Sequence, residues 1–205
     1  MTTADSSAIF AAILIVAQFS TIALAAWRCR PRGAASPADR SNAPGITLVR
    51  TLKGIENHSA ATLDASLSIA YPSFEVLFCV ADPADPIVPL VRSAMAAHPN
   101  VDARLLFGAD RVGANPKLNN MVKGWRQAKY EWICFADSNL LVPPDYLDRL
   151  LAAWRSDTGA ISAPPAGAAP VDFWGDFECA FLNTFEARWQ YAVDTFNFRC
   201  VIISA

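Results

Sequence analysis

The sequence predicts an α/β fold, a mostly parallel sheet with helices on both faces, preceded by one N-terminal transmembrane helix. Three observations carry that prediction. Apolar runs of strand length alternate with segments of helix length between residues 46 and 163. Those runs are near-continuous, as expected of strands covered on both sides. Residues 8–27 hold no charge and only Gln18, Ser20 and Thr21 as polar interruptions, and roughly 20 such residues at 1.5 Å each span a bilayer core.

Composition narrows the function classes. The 205 residues carry a net charge of −2, which excludes a generic basic nucleic-acid binder. With 53% hydrophobic and 18% charged residues, the chain reads as a membrane-attached globular protein, not a disordered one. Cysteines 29, 79, 134, 179 and 200 form an odd set without a C-x-x-C pair, so neither a disulfide framework nor a zinc site is expected. His58 and His98 stand alone and read as solvated or capping residues.

The order of segments follows. Residues 1–7 are a tail and 8–27 the anchor. Only Asp5 precedes the anchor, whereas Arg28, Arg30, Arg32 and Arg40 follow it, so the positive-inside rule puts the rest in the cytoplasm. A cleaved signal peptide is the competing reading, but its basic residues would come first. Residues 28–45, rich in Pro, Ala, Ser and Gly, form a linker, and 46–205 a single domain.

Within that domain, 46–50 is a first strand. Residues 57–70 suit a helix with Leu63, Leu67 and Ala70 on one face, stopped by Tyr71-Pro72. EVLFCV (75–80) is a second strand, 87–97 a helix and ARLLF (103–107) a third strand. A helix over 116–129 opens on Pro116, a favoured first position. WICFA (132–136) is a fourth strand ended by Asp137, 146–154 a helix, and 160–163 a short fifth strand. PPAGAAP (164–170) is a loop. Residues 173–198 hold nine of the 22 aromatics, and Phe173, Phe177, Phe181, Phe185 and Trp189 recur every fourth position. That stripe is either a core face or a helix at the membrane interface that could frame a lipid acceptor.

Candidate chemistry gathers at strand ends, where open α/β sheets present their ligands. Asp82 and Asp85 follow the second strand, and Asp137 opens Asp-Ser-Asn after the fourth. Carboxylates there can accept hydrogen bonds from a base or ribose, or hold a hard divalent ion against phosphate; each can also be a simple turn-former. In Gly113-Ala-Asn-Pro-Lys-Leu-Asn-Asn120 a lysine in the first helical turn and free amides suggest an anion site, with an ordinary turn capped by Asn115 as the alternative.

Together, LKGIE (52–56), YPSFEVLFCVADPADP (71–86), PNVDARLLFGADRVGANPKLNN (99–120) and WICFADSN (132–139) resemble the ceramide glucosyltransferase family, well over 46–165 and loosely over 166–200. These are membrane-anchored, inverting glycosyltransferases of the GT-A type. The resemblance implies that Asp82 lies near the uridine of a nucleotide sugar and that Asp137, with Asn139, holds a metal–diphosphate. Lys117 would neutralise phosphate charge, and Asn119 and Asn120 would shape their loop. It further implies UDP-glucose as donor, Mg2+ or Mn2+ as cofactor, and a ceramide-like lipid hydroxyl as acceptor; a hopanoid or diacylglycerol acceptor is an alternative.

The family pattern continues to a third aspartate, the general base, and a Q/R-x-x-R-W motif. Neither occurs here, and Arg188-Trp189 reads as part of the aromatic helix. The general base is therefore expected beyond residue 205, and the chain reads as a member truncated after its donor-binding half. A catalytically silent, membrane-tethered nucleotide-sugar-binding remnant is the alternative from another class. A nucleotidyltransferase is disfavoured, since LKGIENHS offers only Lys53 and Gly54 for an activation loop.

Overall fold

The computed structural model describes residues 3–28, 43–108, 110–156, 158–163 and 165–193. Most of the linker, Cys29, Cys200, Phe196, Phe198 and the stretch 199–205 lie outside them. The elements run α1 (Thr3–Arg28), β1 (Ile46–Leu52), α2 (Ser59–Leu67), β2 (Phe74–Val80), α3 (Ile87–Ala97), β3 (Ala103–Phe107), α4 (Pro116–Gln127), β4 (Trp132–Asp137) and α5 (Tyr146–Ala153). A last helix follows as α6 (Phe173–Phe181), a π-helical turn (Leu182–Glu186) and α7 (Ala187–Val193). The chain divides into two compact units, 37–151 and 1–36 with 152–205.

The first unit is the sheet. All three strand pairs are parallel and the order is β3-β2-β1-β4. Leu48 stands opposite both Val76 and Cys134, and Phe78 opposite Leu105. The period of two decides which side chain meets which helix. Leu48, Val76, Phe78 and Val80 enter the larger core with Leu63 and Leu67 of α2, Val88 and Val91 of α3 and Leu147 of α5. Val49, Leu77 and Cys79 point the other way and form a smaller cluster. There α4 comes very close, because a Cβ on Gly124 would stand 2.4 Å from Val49 Cγ1.

Buried charge closes the N-terminal end of the sheet. Glu75 is 1% exposed and accepts from Thr47 Oγ1 at 2.8 Å, the Lys129 amide at 2.5 Å and Arg104 Nη2 at 2.8 Å. Lys129 Nζ adds an ion pair to Asp102 at 2.9 Å. These bonds explain why α4 stops at Gln127 and not at 129: Ala128 turns extended, ψ 136°, which hands the next amide to Glu75.

Two other expectations are corrected. The helix over 57–70 is confined to 59–67, because His58 takes a left-handed conformation, φ 63°, that cannot continue a helix, and Ser68 closes the far end by bonding to the Asp64 and Ala65 carbonyls. The fifth strand over 160–163 does not form; Ile161 makes an isolated bridge. One isoleucine among Gly, Ala and Ser offers little apolar surface for a sheet to bury.

The second unit contains α1, α6 and α7. Asp5–Trp27 is long and apolar enough to cross a membrane, and residues 5–20 are exposed throughout. The aromatic stripe is not a core face: Phe173, Phe177, Phe181, Phe185 and Trp189 are all exposed.

Candidate functional site

Strand order locates the crevice. The chain steps outward from β1 through β2 to β3, then returns to the other side of β1 for β4. Beyond the C-terminal ends of β1 and β4, loops therefore diverge, which is where open parallel sheets bind ligands. Asp137 is the last residue of β4 and Asp82 follows β2 by two, so the two carboxylates flank β1.

Asp137 is exposed and its Oδ1 lies 2.5 Å from Lys117 Nζ, also exposed. Asn139, two residues on, is exposed as well. The loops after β1 and β4 are joined by another bond, in which Ser138 Oγ donates to Glu56 Oε2 at 3.1 Å. Glu56 was not singled out by sequence reasoning; the signal available was its place in LKGIE, directly after β1. Beneath the Asp-Ser-Asn loop lies Arg50, fully buried, whose Nη2 donates to the Ser138 and Leu140 carbonyls at 3.0 Å each. Burial pushes its guanidinium down to about 10, against the opposing pull of Tyr146, Cys134 and Asp137. Its Nε and Nη1 have no partner.

Across β1, Asp82 is exposed and its Oδ1 accepts from the Ala84 amide at 2.8 Å, a local turn that leaves its second oxygen outside that bond. Asp85 does something else. Both its oxygens accept from the Gly54 amide at 3.0 Å, and Oδ1 also takes the Ile87 amide at the start of α3. Gly54 has φ 68°, a conformation glycine adopts without strain, so this carboxylate ties the β1 loop to the β2 loop.

The 113–120 segment holds a correction. Its first helical turn has no free amide: Asn115 Oδ1 takes those of Lys117 and Leu118, and Asn119 N goes to the Asn115 carbonyl. Pro116 has none to offer. An anion here would meet the Lys117 ammonium, not backbone N–H groups. Asn119 is buried, accepting from the Val112 and Gly113 amides and donating to the Gly113 carbonyl. Asn120 is buried beside Lys123. Lys123 itself is buried and bonds the carbonyls of Val80, Leu106 and Gly108, which cap the ends of β2 and β3; burial pushes its ammonium down.

Among the described residues no group of three or more His, Cys, Asp or Glu side chains could hold a metal ion. A hard divalent ion could still use the exposed Asp137 carboxylate, since Mg2+-type sites rest on one or two carboxylates and complete their shell with substrate phosphates and water. The donor set fits such an ion only together with a diphosphate.

Comparison with known proteins follows the same line. The family described as Glycosyl transferase family 21 matches residues 8–202. Ceramide glucosyltransferase 1 of Caenorhabditis elegans is 31% identical over 155 residues, 75% of this chain and 33% of that protein. Ceramide glucosyltransferase of Candida albicans is 37% identical over 108 residues, 47% of this chain and 20% of that protein. The chain thus spans a third or less of the length of these relatives. Among solved structures, a mannosyltransferase from Pyrobaculum calidifontis in complex with GDP-Man and Mn2+ superposes with a TM-score of 0.54 at 22% identity, over 80% of this chain and 48% of that one; this likeness is one of fold.

Proposed function

The chain belongs to glycosyl transferase family 21, and from that premise we propose that the C-terminal end of its sheet binds UDP-glucose with Mg2+ or Mn2+ for transfer, with inversion, to a ceramide-type lipid hydroxyl. The observation that carries this reading is the Lys117–Asp137 pair at the β1–β4 switch point. Lys117 and Asp137 pair with each other across the exposed end of the sheet. With a nucleotide diphosphate present, Lys117 would turn to the phosphate oxygens, and Asp137 with Asn139 would hold the divalent ion. When bound, that ion stabilises negative charge on the departing diphosphate. Asp82 accepts a hydrogen bond from the ribose or the base. Asn119, through the bonds that fix residues 112–113, keeps the Lys117 turn in place.

Relatives named ceramide glucosyltransferases support the acceptor class. Residues 8–27 anchor the chain, 28–45 link it, and 46–205 form the catalytic domain. The basic residues after α1 support a cytoplasmic position for that domain.

The test is calorimetric titration of the full chain with UDP, with and without Mn2+, followed by transfer of labelled glucose from UDP-glucose to ceramide. Asp137→Ala is expected to weaken Mn2+-dependent UDP binding on the order of 100-fold, about 2.7 kcal/mol, with the circular dichroism spectrum unchanged. Equal affinity in the variant would overturn the role of Asp137.

A further inference from the structure

The donor site leaves the aromatic face of α6 and α7 without a role. Phe173, Trp174, Phe177, Phe181, Phe185 and Trp189 are each at least 40% exposed. In an α-helix residues four apart overshoot a full turn by about 40°, so such a stripe would wind away from its start. The π turn at 182–186 holds more residues per turn and offsets that drift between Phe181 and Trp189. Phe181 consequently stacks on Phe185 at 5.2 Å, and Phe185 meets Trp189 edge-on at 6.3 Å. These rings border an open trough of about 540 Å3. Arg188 is tucked against the same two rings, 5.6 Å from Phe185 and 5.5 Å from Trp189.

Position within the unit says what meets this face. α7 packs alongside α1. The half-buried residues described in α1 are Thr21, Leu24 and Ala25, all toward its C-terminal end. That end carries Trp27 and Arg28, residue types that mark the level where hydrocarbon gives way to headgroups. Net charge also fits an uncharged target: Asp172, Asp176, Glu178 and Glu186 outnumber Arg188, so attraction to anionic lipid is not what would hold the helix.

We propose that the aromatic face of residues 173–189 lies in the membrane interface at headgroup level, a second bilayer contact beside the span of α1. The proposal rests on reading α1 as membrane-spanning. It gives the face one occupant, the lipid surface, and places an open aromatic trough where a lipid hydroxyl could be presented.

The experiment reconstitutes the full chain in phosphatidylcholine vesicles whose acyl chains are brominated either close to the headgroup or close to the terminal methyl, and reads tryptophan quenching. The Trp174→Phe/Trp189→Phe double variant is expected to lose most of the quenching by shallow bromines while retaining that from Trp27, and Trp125→Phe, on α4, is expected to change nothing. Shallow quenching equal to the unaltered chain, with the Trp27 signal intact, overturns the proposal and leaves the face to a protein partner or a second copy. Stronger quenching of Trp174 and Trp189 by deep bromines overturns the headgroup-level placement. Absence of all quenching, Trp27 included, overturns the span and with it this proposal, and leaves UDP binding untouched.

Discussion

At the N-terminal end of the sheet Glu75 is 1% exposed and bonded through both oxygens to Thr47, Arg104 and the Lys129 amide; at the other end Asp137 is 61% exposed and meets one lysine. The same functional group serves two purposes. A carboxylate removed from water is tolerated when its lone pairs are filled by the fold itself. One left at a strand end with few fixed partners retains lone pairs for a ligand. Lys123 and Lys117 repeat the contrast on a single helix: the former is buried and spent on strand-end carbonyls, the latter exposed and exchangeable.

Substitutions at the two ends should therefore part stability from binding. The largest effect is expected from Glu75→Ala, which strands the Thr47 hydroxyl and the Lys129 amide and leaves Arg104 with the Gln127 carbonyl but no carboxylate. Denaturant titration should show a loss of about 3 kcal/mol, with UDP affinity of the folded fraction unchanged; a parallel loss of affinity would break the comparison. Next comes pH. Burial pushes the Cys79 thiol up to about 11, so above pH 9 the unfolded chain loses a proton that the native chain keeps. Stability should fall between pH 9 and 11 by on the order of 2 kcal/mol from this group, and Cys79→Ala should flatten that alkaline slope in thermal melts. The smallest effect on stability is expected from Asp85→Asn, about 1 kcal/mol, since both loops it joins are near solvent. Here UDP affinity should drop several-fold as the Gly54 loop loosens, and unchanged affinity would place Asp85 with the purely structural residues.

Much of this was readable in the chain. EVLFCV, apolar in every position after Glu75, reads as a strand with two covered faces, and WICFA followed by Asp137 located a carboxylate at a strand end. The stretch 160–163 misled because a short apolar cluster carries no information on whether a sheet edge is there to receive it. Arg50 and Lys123 escaped for another reason. Each looks like an ordinary charged residue, and what makes them interior is the convergence of backbone carbonyls from segments 15 to 90 positions away. Glu75 offered a usable hint, since a charge inside a doubly covered strand requires buried partners. The positions of Asp85 and Glu56 after their strands were visible, but their loop-to-loop partners, Gly54 and Ser138, are set by the fold.

The π turn at Leu182–Glu186 also bears on how the helix can change in length. An α-helix that loses one residue rotates everything beyond the cut by about 100°, which would swing Trp189 off the line of Phe181. The wide turn already stores one residue in excess. Deleting Leu182 would let it relax to an ordinary α turn with the rings on either side still aligned, whereas a deletion at Gly175, seven residues before the turn, has no such slack beside it. The helix is thus buffered against a change in chain length at one place along its run, and family members differing by a single residue there can keep the same face.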